Sequence, residues 1–402
     1  MRKALLVACG ICLLYAVVEL ASLAVLTYLH HTDTNAFAAS VDRYYAKLDD
    51  GQLRDFLAGP YHPVLGWDVE PGISKTEKNC LGREWSISYD ADGARSAPET
   101  FEPTLLAAYG DSYIRGGEID DDQVWTYQLS RSTGKGTKNF AVGAYGTYQA
   151  LLKVKLHISE GRVYPITVLG VNEENIRRVL NLFRPFLSQR GQLRFAFKPG
   201  LFCEDGACRA LPNPLPADVR SIAEVKKIAT ATRRWDYWAR TKPTLEYPWS
   251  VNFFRLARLA LGRGRANERE PLWHDPVGIA AMRFVIEDFR DSVRKAGSLP
   301  VVLFFPQRPK AGVAPSYSSF RREIERDFPD LVVLDVADMD FDARRFKLKP
   351  TACHPSEYGH SIMAETVRRG LSAYFDGPNP APSVQDVAEI NADALSEREE
   401  RK

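Results

Sequence analysis

Short apolar runs alternate with amphipathic stretches through the middle of the chain. The apolar runs lie at 105–109, 139–142, 166–169, 301–305 and 331–336. Between them, apolar residues recur at helical spacing over 121–131, 147–158, 173–183 and 277–296. Strands separated by helices are typical of βαβ units, whose strands pair in parallel. The pattern therefore predicts an α/β fold with a mostly parallel sheet.

The longest apolar run, 4–29, follows Arg2 and Lys3. As a helix it would be about 39 Å long, enough to cross about 30 Å of hydrocarbon. Residues 22–24 have the small-x-small form of a signal-peptide cleavage site, but the apolar run continues beyond them. We therefore favour an uncleaved, single-pass anchor in the inner (cell) membrane. Because the positive charges precede the run, the remainder is expected in the periplasm or at the cell exterior.

The same pattern predicts the organisation of the chain. A transmembrane anchor at 1–31 and a helical stalk at 32–60 precede an α/β domain at 61–375. A mostly helical insertion at about 186–270 interrupts the rhythm of that domain. The tail, 376–402, is rich in Pro, Asp and Glu and poor in bulky residues, so we expect it to be disordered.

The composition excludes some classes of function but indicates none. Hydrophobic residues make up 45% of the chain, and 53 Lys and Arg against 51 Asp and Glu give a net charge of +2. So small an excess, without a long basic run, argues against nucleic-acid binding. The six cysteines form no CxxC pair. We find no metal or nucleotide motif and expect no cofactor.

The first chemical candidate is Ser112, in Gly110-Asp111-Ser112 directly after the first predicted strand. Parallel α/β sheets bind ligands at the carboxyl ends of their strands. A serine there can attack a carbonyl while its own backbone N–H faces the developing oxyanion. The alternative is an ordinary turn, for which these three residue types are well suited.

Two further segments follow the second and third strands. Gly143 and Ala144 let the backbone approach a ligand closely, so either N–H can bind an oxyanion. Asn172, after the third strand, can donate its side-chain amide to the same oxygen. The alternatives are a glycine-containing turn and a helix N-cap at Asn172, with Asn175 simply exposed.

The fourth segment begins with His354-Pro355 near the chain end. A histidine suits general-base catalysis at neutral pH, because its ordinary pKa is about 6.5. A lone histidine is more often structural. The fixed order of strand and Ser112, strand and glycines, strand and Asn172, then His354 favours a serine-based acyl-transfer site.

These four segments resemble blocks I, II, III and V of the SGNH/GDSL hydrolase superfamily. The resemblance implies a flavodoxin-like, three-layer α/β/α fold with a five-stranded parallel sheet. It also implies Ser112 as nucleophile and His354 as base. The oxyanion would be held by the amides of Ser112 and Gly143 or Ala144, with Asn172 as third donor. Asp111, Asn175 and Thr351 would be supporting residues.

One position departs from the family pattern. Block V is usually Asp-x-x-His-Pro, and this chain has Thr351 where the aspartate is expected. We therefore expect a Ser112–His354 dyad. Its imidazole would be oriented by Thr351, by a backbone carbonyl, or by a carboxylate of the preceding loop. The candidate carboxylates are Asp338, Asp340 and Asp342.

A narrower resemblance, at 90–95 and 174–178, is to membrane-anchored bacterial GDSL-like proteins. Related SGNH proteins add or remove O-acetyl groups on exopolysaccharide, O-antigen or peptidoglycan. This implies an esterase or O-acyl(acetyl)transferase acting on an acylated glycan or other ester, alongside polysaccharide-assembly proteins. The alternative is a catalytically degenerate glycan-binding or assembly protein, which the missing block V aspartate supports.

The cysteines outside the anchor would lie in an oxidising compartment. Cys203 and Cys208 flank a short turn and are expected to form a disulfide. Cys80 and Cys353 remain, and we predict that they pair and brace the loop carrying His354. The insertion is also rich in aromatic rings, which can stack on sugars or form the insertion's own core. We favour the second interpretation for these rings, which are Trp235, Tyr237, Trp238, Tyr247, Trp249, Phe253 and Phe254.

Overall fold

The fold is that of a computed structural model. It describes residues 2–187, 195–239, 245, 247–262, 271–310, 312–349 and 353–376. The expected disordered tail lies outside the described residues, apart from Asp376. Four stretches of the insertion, 188–194, 240–244, 246 and 263–270, and Thr351 are also outside them.

Eleven strands lie in these residues. They are β1 (Tyr61–His62), β2 (Gly66–Trp67), β3 (Ser74–Lys78), β4 (Glu84–Ser88), β5 (Thr104–Tyr109), β6 (Gly136–Asn139), β7 (Ile166–Asn172), β8 (Gly200–Glu204), β9 (Ala207–Leu211), β10 (Leu299–Phe305) and β11 (Val332–Asp335). Five of them form one parallel sheet in the order β11-β10-β7-β5-β6. Counted along the chain from the first of these strands, this is the flavodoxin-like order 2-1-3-4-5. The predicted fold class is confirmed.

Helices of very different lengths connect the strands. They are α1 (Arg2–Tyr45), α2 (Asp50–Ala58), α3 (Ser112–Arg115), α4 (Trp125–Thr133), α5 (Thr147–Ser159), α6 (Asn175–Val179), α7 (Arg184–Leu187), α8 (Ile222–Thr232), α9 (Trp249–Gly262), α10 (Pro276–Lys295), α11 (Ser318–Asp327), α12 (Glu357–Gly370) and α13 (Ser372–Asp376). Helices α5 and α10 cover one face of the sheet, and α4 and α12 cover the other. Successive sheet residues alternate between these two cores, as the period of a strand requires.

The second predicted strand is displaced in the structure. The apolar residues 140–142 were expected to be strand, whereas β6 ends at Asn139. Strand β6 is at the sheet edge and is only partly buried, so its sequence is polar. The following loop still runs beside β5, with the N–H groups of Phe140 and Val142 donating to Ala108 and Gly110. The side chains of residues 140–142 are therefore buried although these residues do not form a strand.

The anchor and the first part of the stalk are one continuous helix, α1. Within the described residues, one stretch, Leu6–Thr32, is long and apolar enough to cross a membrane. A signal sequence near an N-terminus has the same properties. Beyond it, Val41 and Tyr45 pack against the insertion, so the stalk is attached to the domain.

Three antiparallel hairpins in the described residues stand outside the main sheet, and the first is β1 with β2. Strands β3 and β4 pair before the sheet begins, and Cys80 lies in their connection. Strands β8 and β9 pair in the insertion, where Cys203 is opposite Cys208 and bonded to it, with the Cα atoms 4.1 Å apart. Helices α8 and α9 supply the two helices expected there.

Candidate active site

Ser112 lies at the carboxyl edge of the sheet, as the first residue of the short helix α3. Asp111 caps this helix, since its carboxylate accepts the N–H of Tyr113 at 2.9 Å. The cap turns the chain sharply from strand to helix and leaves Ser112 8% exposed. Asp111 thus supports the serine by fixing the turn, rather than by contacting the imidazole.

His354 lies opposite Ser112, just before helix α12. Its Nε2 is 2.8 Å from the Ser112 hydroxyl oxygen. Its Nδ1 is 2.9 Å from Oε2 of Glu118, which also accepts the backbone N–H of His354 at 2.8 Å. Serine, imidazole and carboxylate therefore form one hydrogen-bonded series, the arrangement that activates a serine nucleophile.

Glu118 corrects the expectation of a dyad. The carboxylate beside His354 comes from the segment after Ser112, whereas the family pattern puts it before the histidine. Two of the substitutes considered are engaged elsewhere, Asp338 with Arg321 and Asp342 with Arg344. Thr351 lies outside the described residues.

The two glycines before Glu118 make this placement possible. Gly116 has a φ of 82° and Glu118 a φ of 70°, both in the left-handed region. A Cβ on Gly117 would lie 3.1 Å from the His354 ring, so a side chain there would crowd the imidazole. One feature of the sequence could have indicated Glu118: it directly follows two glycines, six residues after Ser112.

Glu118 is held as a carboxylate. Burial acts to raise its pKa, but the hydrogen bonds from His354 and from the N–H of Cys80 outweigh burial and lower the pKa below its usual value. A carboxylate charged at neutral pH can stabilise the imidazolium that forms when His354 accepts a proton.

The loop after β6 and the end of β7 supply the candidate oxyanion donors. Ala144 has a φ of 65°, an uncommon conformation for a residue with a Cβ and one found at functional turns. The Gly143 carbonyl accepts Nε1–H of Trp67 at 3.1 Å, which fixes the loop. Asn172 is 1% exposed, and its Oδ1 accepts the N–H of Glu174 at 2.9 Å. Its buried Nδ2 has no hydrogen-bond partner among the described residues, so it is available as a donor.

Asn175 is not exposed, although the alternative in which Asn172 is only a helix N-cap expected it to be. Its side chain is fully buried, and neither amide atom has a hydrogen-bond partner within the described parts of the chain. Nearby, the guanidinium of Arg178 donates to the Tyr145 carbonyl at 3.0 Å and to Asp111 at 3.4 Å. Arg178 therefore connects the turn that carries Ser112 to the glycine loop.

Two residues missed in the sequence border the triad. The Tyr113 ring packs edge-on against His354, with ring centroids 5.6 Å apart. Nζ of Lys347 donates to the Tyr113 hydroxyl at 2.8 Å, and burial lowers the pKa of Lys347 to about 8. Beside them opens a cleft of about 620 Å³, lined among others by Trp85, Glu118 and Lys347.

A disulfide lies directly behind the triad. Cys80 is bonded to Cys353, the residue before His354, with the Cα atoms 5.8 Å apart. The N–H of Cys80 donates to Glu118 at 2.8 Å. The two sulfurs and the carboxylate are close enough to share a metal ion. However, metals bind thiolates, and these sulfurs are bonded to each other.

No family model matches the chain, and no curated protein matches it. Among solved structures, it is similar to a protein described as lipolytic and of the G-D-S-L family, from Desulfitobacterium hafniense. The identity is 13% and the TM-score 0.35, over 66% of this chain and 99% of that one. The chain is also similar to a salicylyl-acyltransferase from a tetracycline biosynthetic pathway. The identity is 14% and the TM-score 0.33, over 70% of this chain and 58% of that one. A third similar structure is a family two carbohydrate esterase from Clostridium thermocellum. Its identity is 11% and its TM-score 0.33, over 70% of this chain and 67% of that one.

Serine, glycine loop, asparagine and histidine thus follow one another at the carboxyl edge of a sheet ordered 2-1-3-4-5. The chain has the flavodoxin-like α/β/α fold that its resemblance to the SGNH/GDSL superfamily predicted.

Proposed function

We propose that this chain is a serine-dependent esterase or O-acyltransferase of the SGNH type, acting outside the cytoplasm on an acylated cell-surface glycan. One observation carries the acyl-transfer proposal, the hydrogen-bonded series Ser112–His354–Glu118. The glycan substrate is supported by the narrower sequence resemblance to membrane-anchored GDSL-like proteins.

The geometry supports a two-step reaction. The Ser112 oxygen attacks the ester carbonyl carbon while Nε2 of His354 takes the serine proton, and the Glu118 carboxylate stabilises the imidazolium. The oxyanion accepts hydrogen bonds from Nδ2 of Asn172 and from backbone N–H groups of Ser112 and Gly143 or Ala144. The tetrahedral intermediate expels the alcohol, which takes its proton from His354. Water or a sugar hydroxyl then attacks the acyl-serine by the same steps in reverse.

The alternative of a degenerate glycan-binding protein loses its main support. It rested on the absence of a block V aspartate. Glu118 now offers a carboxylate at Nδ1 of His354, within hydrogen-bonding distance and with a lowered pKa.

The proposed location rests on three features. The stretch Leu6–Thr32 is able to span a bilayer, and the basic residues Arg2 and Lys3 precede it. The domain beyond it carries two disulfides, which persist in oxidising compartments. We therefore infer a chain anchored in the inner membrane with the domain outside the cytoplasm.

An activated-ester probe tests the chemistry. The wild-type chain should acylate at Ser112, located by mass spectrometry, whereas Ser112→Ala and His354→Ala should not be labelled. Adding an O-acetylated glycan and a sugar acceptor then distinguishes release of acetate from its transfer. Full activity in His354→Ala would show that the base is wrongly assigned. A folded wild type that no ester probe labels would favour the binding protein.

A further inference from the structure

A glutamate lies inside the membrane-spanning stretch of α1 and is not left unpaired. Glu19 is 4% exposed. Its carboxylate accepts the backbone N–H groups of Trp249 and Ser250 at 2.7 and 3.2 Å, and also the Ser250 hydroxyl. These are the first residues of α9, where a helix has unpaired N–H donors and a positive dipole end. Glu19 therefore caps α9 from another helix.

The position of Glu19 sets the depth of this contact. Thirteen residues of the span Leu6–Thr32 lie on either side of it. At about 1.5 Å per residue, Glu19 is roughly 20 Å from each end. Four residues earlier, the Tyr15 hydroxyl lies 2.7 Å from that of Tyr247. In any bilayer that α1 crosses, the start of α9 is therefore near the midplane.

Burial along α1 shows where α9 runs from there. Glu19, Ser22 and Leu26 are buried and share one face of the helix, whereas the large apolar residues at 6–18 are exposed. Helix α9 packs against α1. It therefore lies on the half of the span nearer the stalk. Its 14 residues reach about 21 Å, which matches the distance from Glu19 to the outer end of the span.

Three apolar side chains at the start of this segment are exposed. Tyr247, Val251 and Phe254 are 62%, 60% and 61% exposed, and this surface continues the exposed apolar surface of α1. Acyl chains are the occupant that fits it, because the same depth of α1 faces them too. A polar backbone is tolerated there only where it is satisfied, and Glu19 satisfies the first turn.

We propose that residues 247–262 form a membrane segment that begins near the bilayer midplane, where Glu19 caps it, and runs along α1 through the outer leaflet. The proposal rests on the anchoring of α1 and is independent of the acyl-transfer chemistry.

Depth-dependent fluorescence quenching of the full chain in lipid nanodiscs tests the segment. Cys9 and Cys12 are free thiols, so both are first replaced by serine. Val251→Cys is then labelled with an environment-sensitive fluorophore. Val313→Cys, at an exposed valine of the domain, is the matched control. Nitroxide lipids with the spin label deep in the acyl chain should quench the Val251 label several-fold and leave the Val313 label unchanged. Aqueous iodide should do the opposite.

Replacing the cap adds a second readout. Glu19→Leu leaves the first N–H groups of α9 without an acceptor, so the Val251 label should move from deep to shallow quenching. Glu19→Gln, which can still accept, should keep most of the deep quenching. Iodide quenching of the Val251 label equal to that of Val313 would overturn the proposal. Protection of the label from both quenchers would also overturn it, by indicating a protein contact such as a second copy. Release of the chain by alkaline carbonate would instead show that α1 does not anchor it.

Discussion

Glu118 contacts both His354 and the segment that carries Cys80, so one carboxylate sets the tautomer of the base and its position. Its Oε2 accepts two N–H groups of His354 and its Oε1 one of Cys80. A neutral amide at this position has only one oxygen and would present an NH₂ group to one of these donors. The histidine would then turn or adopt the wrong tautomer.

We therefore expect Glu118→Gln to lower kcat strongly. In a serine protease triad the corresponding replacement of aspartate by asparagine costs about 10⁴-fold, and a loss on the order of 10³–10⁴-fold is expected here. Steady-state hydrolysis of an activated ester measures it. Glu365→Gln, a surface change on α12, is the control and should leave kcat unchanged. A Glu118→Gln enzyme with normal turnover would restore the dyad hypothesis.

The pH dependence follows from the direction of the Glu118 pKa shift. The pKa of this carboxyl is lowered, so its charge persists at neutral pH. Its contribution is present above the ordinary glutamate range and is lost only as the pH falls through the lowered pKa. The carboxylate is therefore not expected to limit turnover near neutral pH.

Which elements the sequence could predict depends on how each one is buried. Strands β5, β7, β10 and β11 are almost wholly buried, so they read as continuous apolar runs. The edge strand β6 is polar, so the sequence predicted it too late in the chain, at the apolar residues 140–142 that follow it. Hairpin β3–β4 carries no such signal, because every residue of β3 is exposed.

The candidate site was predictable only where its residues stand in ordered motifs. Ser112, Asn172 and His354 each follow or precede a recognisable element. Glu118 and His354 are 236 residues apart in sequence, and no local spacing relates them. Only closure of the fold brings them together, so a single sequence indicates the base but not the carboxylate behind it.

The disulfide between hairpin β3–β4 and the histidine loop predicts a specific effect on turnover. Removing it by Cys80→Ser and Cys353→Ser together frees both the N–H that binds Glu118 and the residue before His354. Misplacing catalytic groups by about 1 Å can cost about 10²-fold, so kcat is expected to fall by about that factor. The double variant is assayed by ester hydrolysis.

The second disulfide provides the matched control. Cys203→Ser with Cys208→Ser removes a bond within hairpin β8–β9, which holds no residue of the triad. This variant should keep kcat, although both variants lose stability. An equal loss of turnover in the two would mean that the Cys80–Cys353 bond acts only through general stability.

At the scale of the whole molecule, Lys198 is a buried ionisable group where the insertion meets the domain. Lys198 has no exposed surface, and its Nζ donates to the carbonyls of Arg178 and Pro199. Burial, together with the nearby Arg184, lowers the pKa of Lys198 to about 7. The folded chain thus releases a proton that the unfolded chain keeps until about pH 10.4.

The free energy of unfolding should therefore rise with pH above about 7 through Lys198. Where the unfolded state binds more protons, stability increases by up to about 1.4 kcal/mol per pH unit for one proton. Urea unfolding of the full chain in detergent, at about pH 7 and about pH 9, compares wild type with Lys198→Met, which cannot titrate. The free energy of unfolding of the variant minus that of wild type should decrease as the pH rises. Lys75→Met, on the exposed strand β3, is the control for removing a lysine. A difference between wild type and Lys198→Met that is constant with pH would mean that Lys198 stays charged in the folded chain.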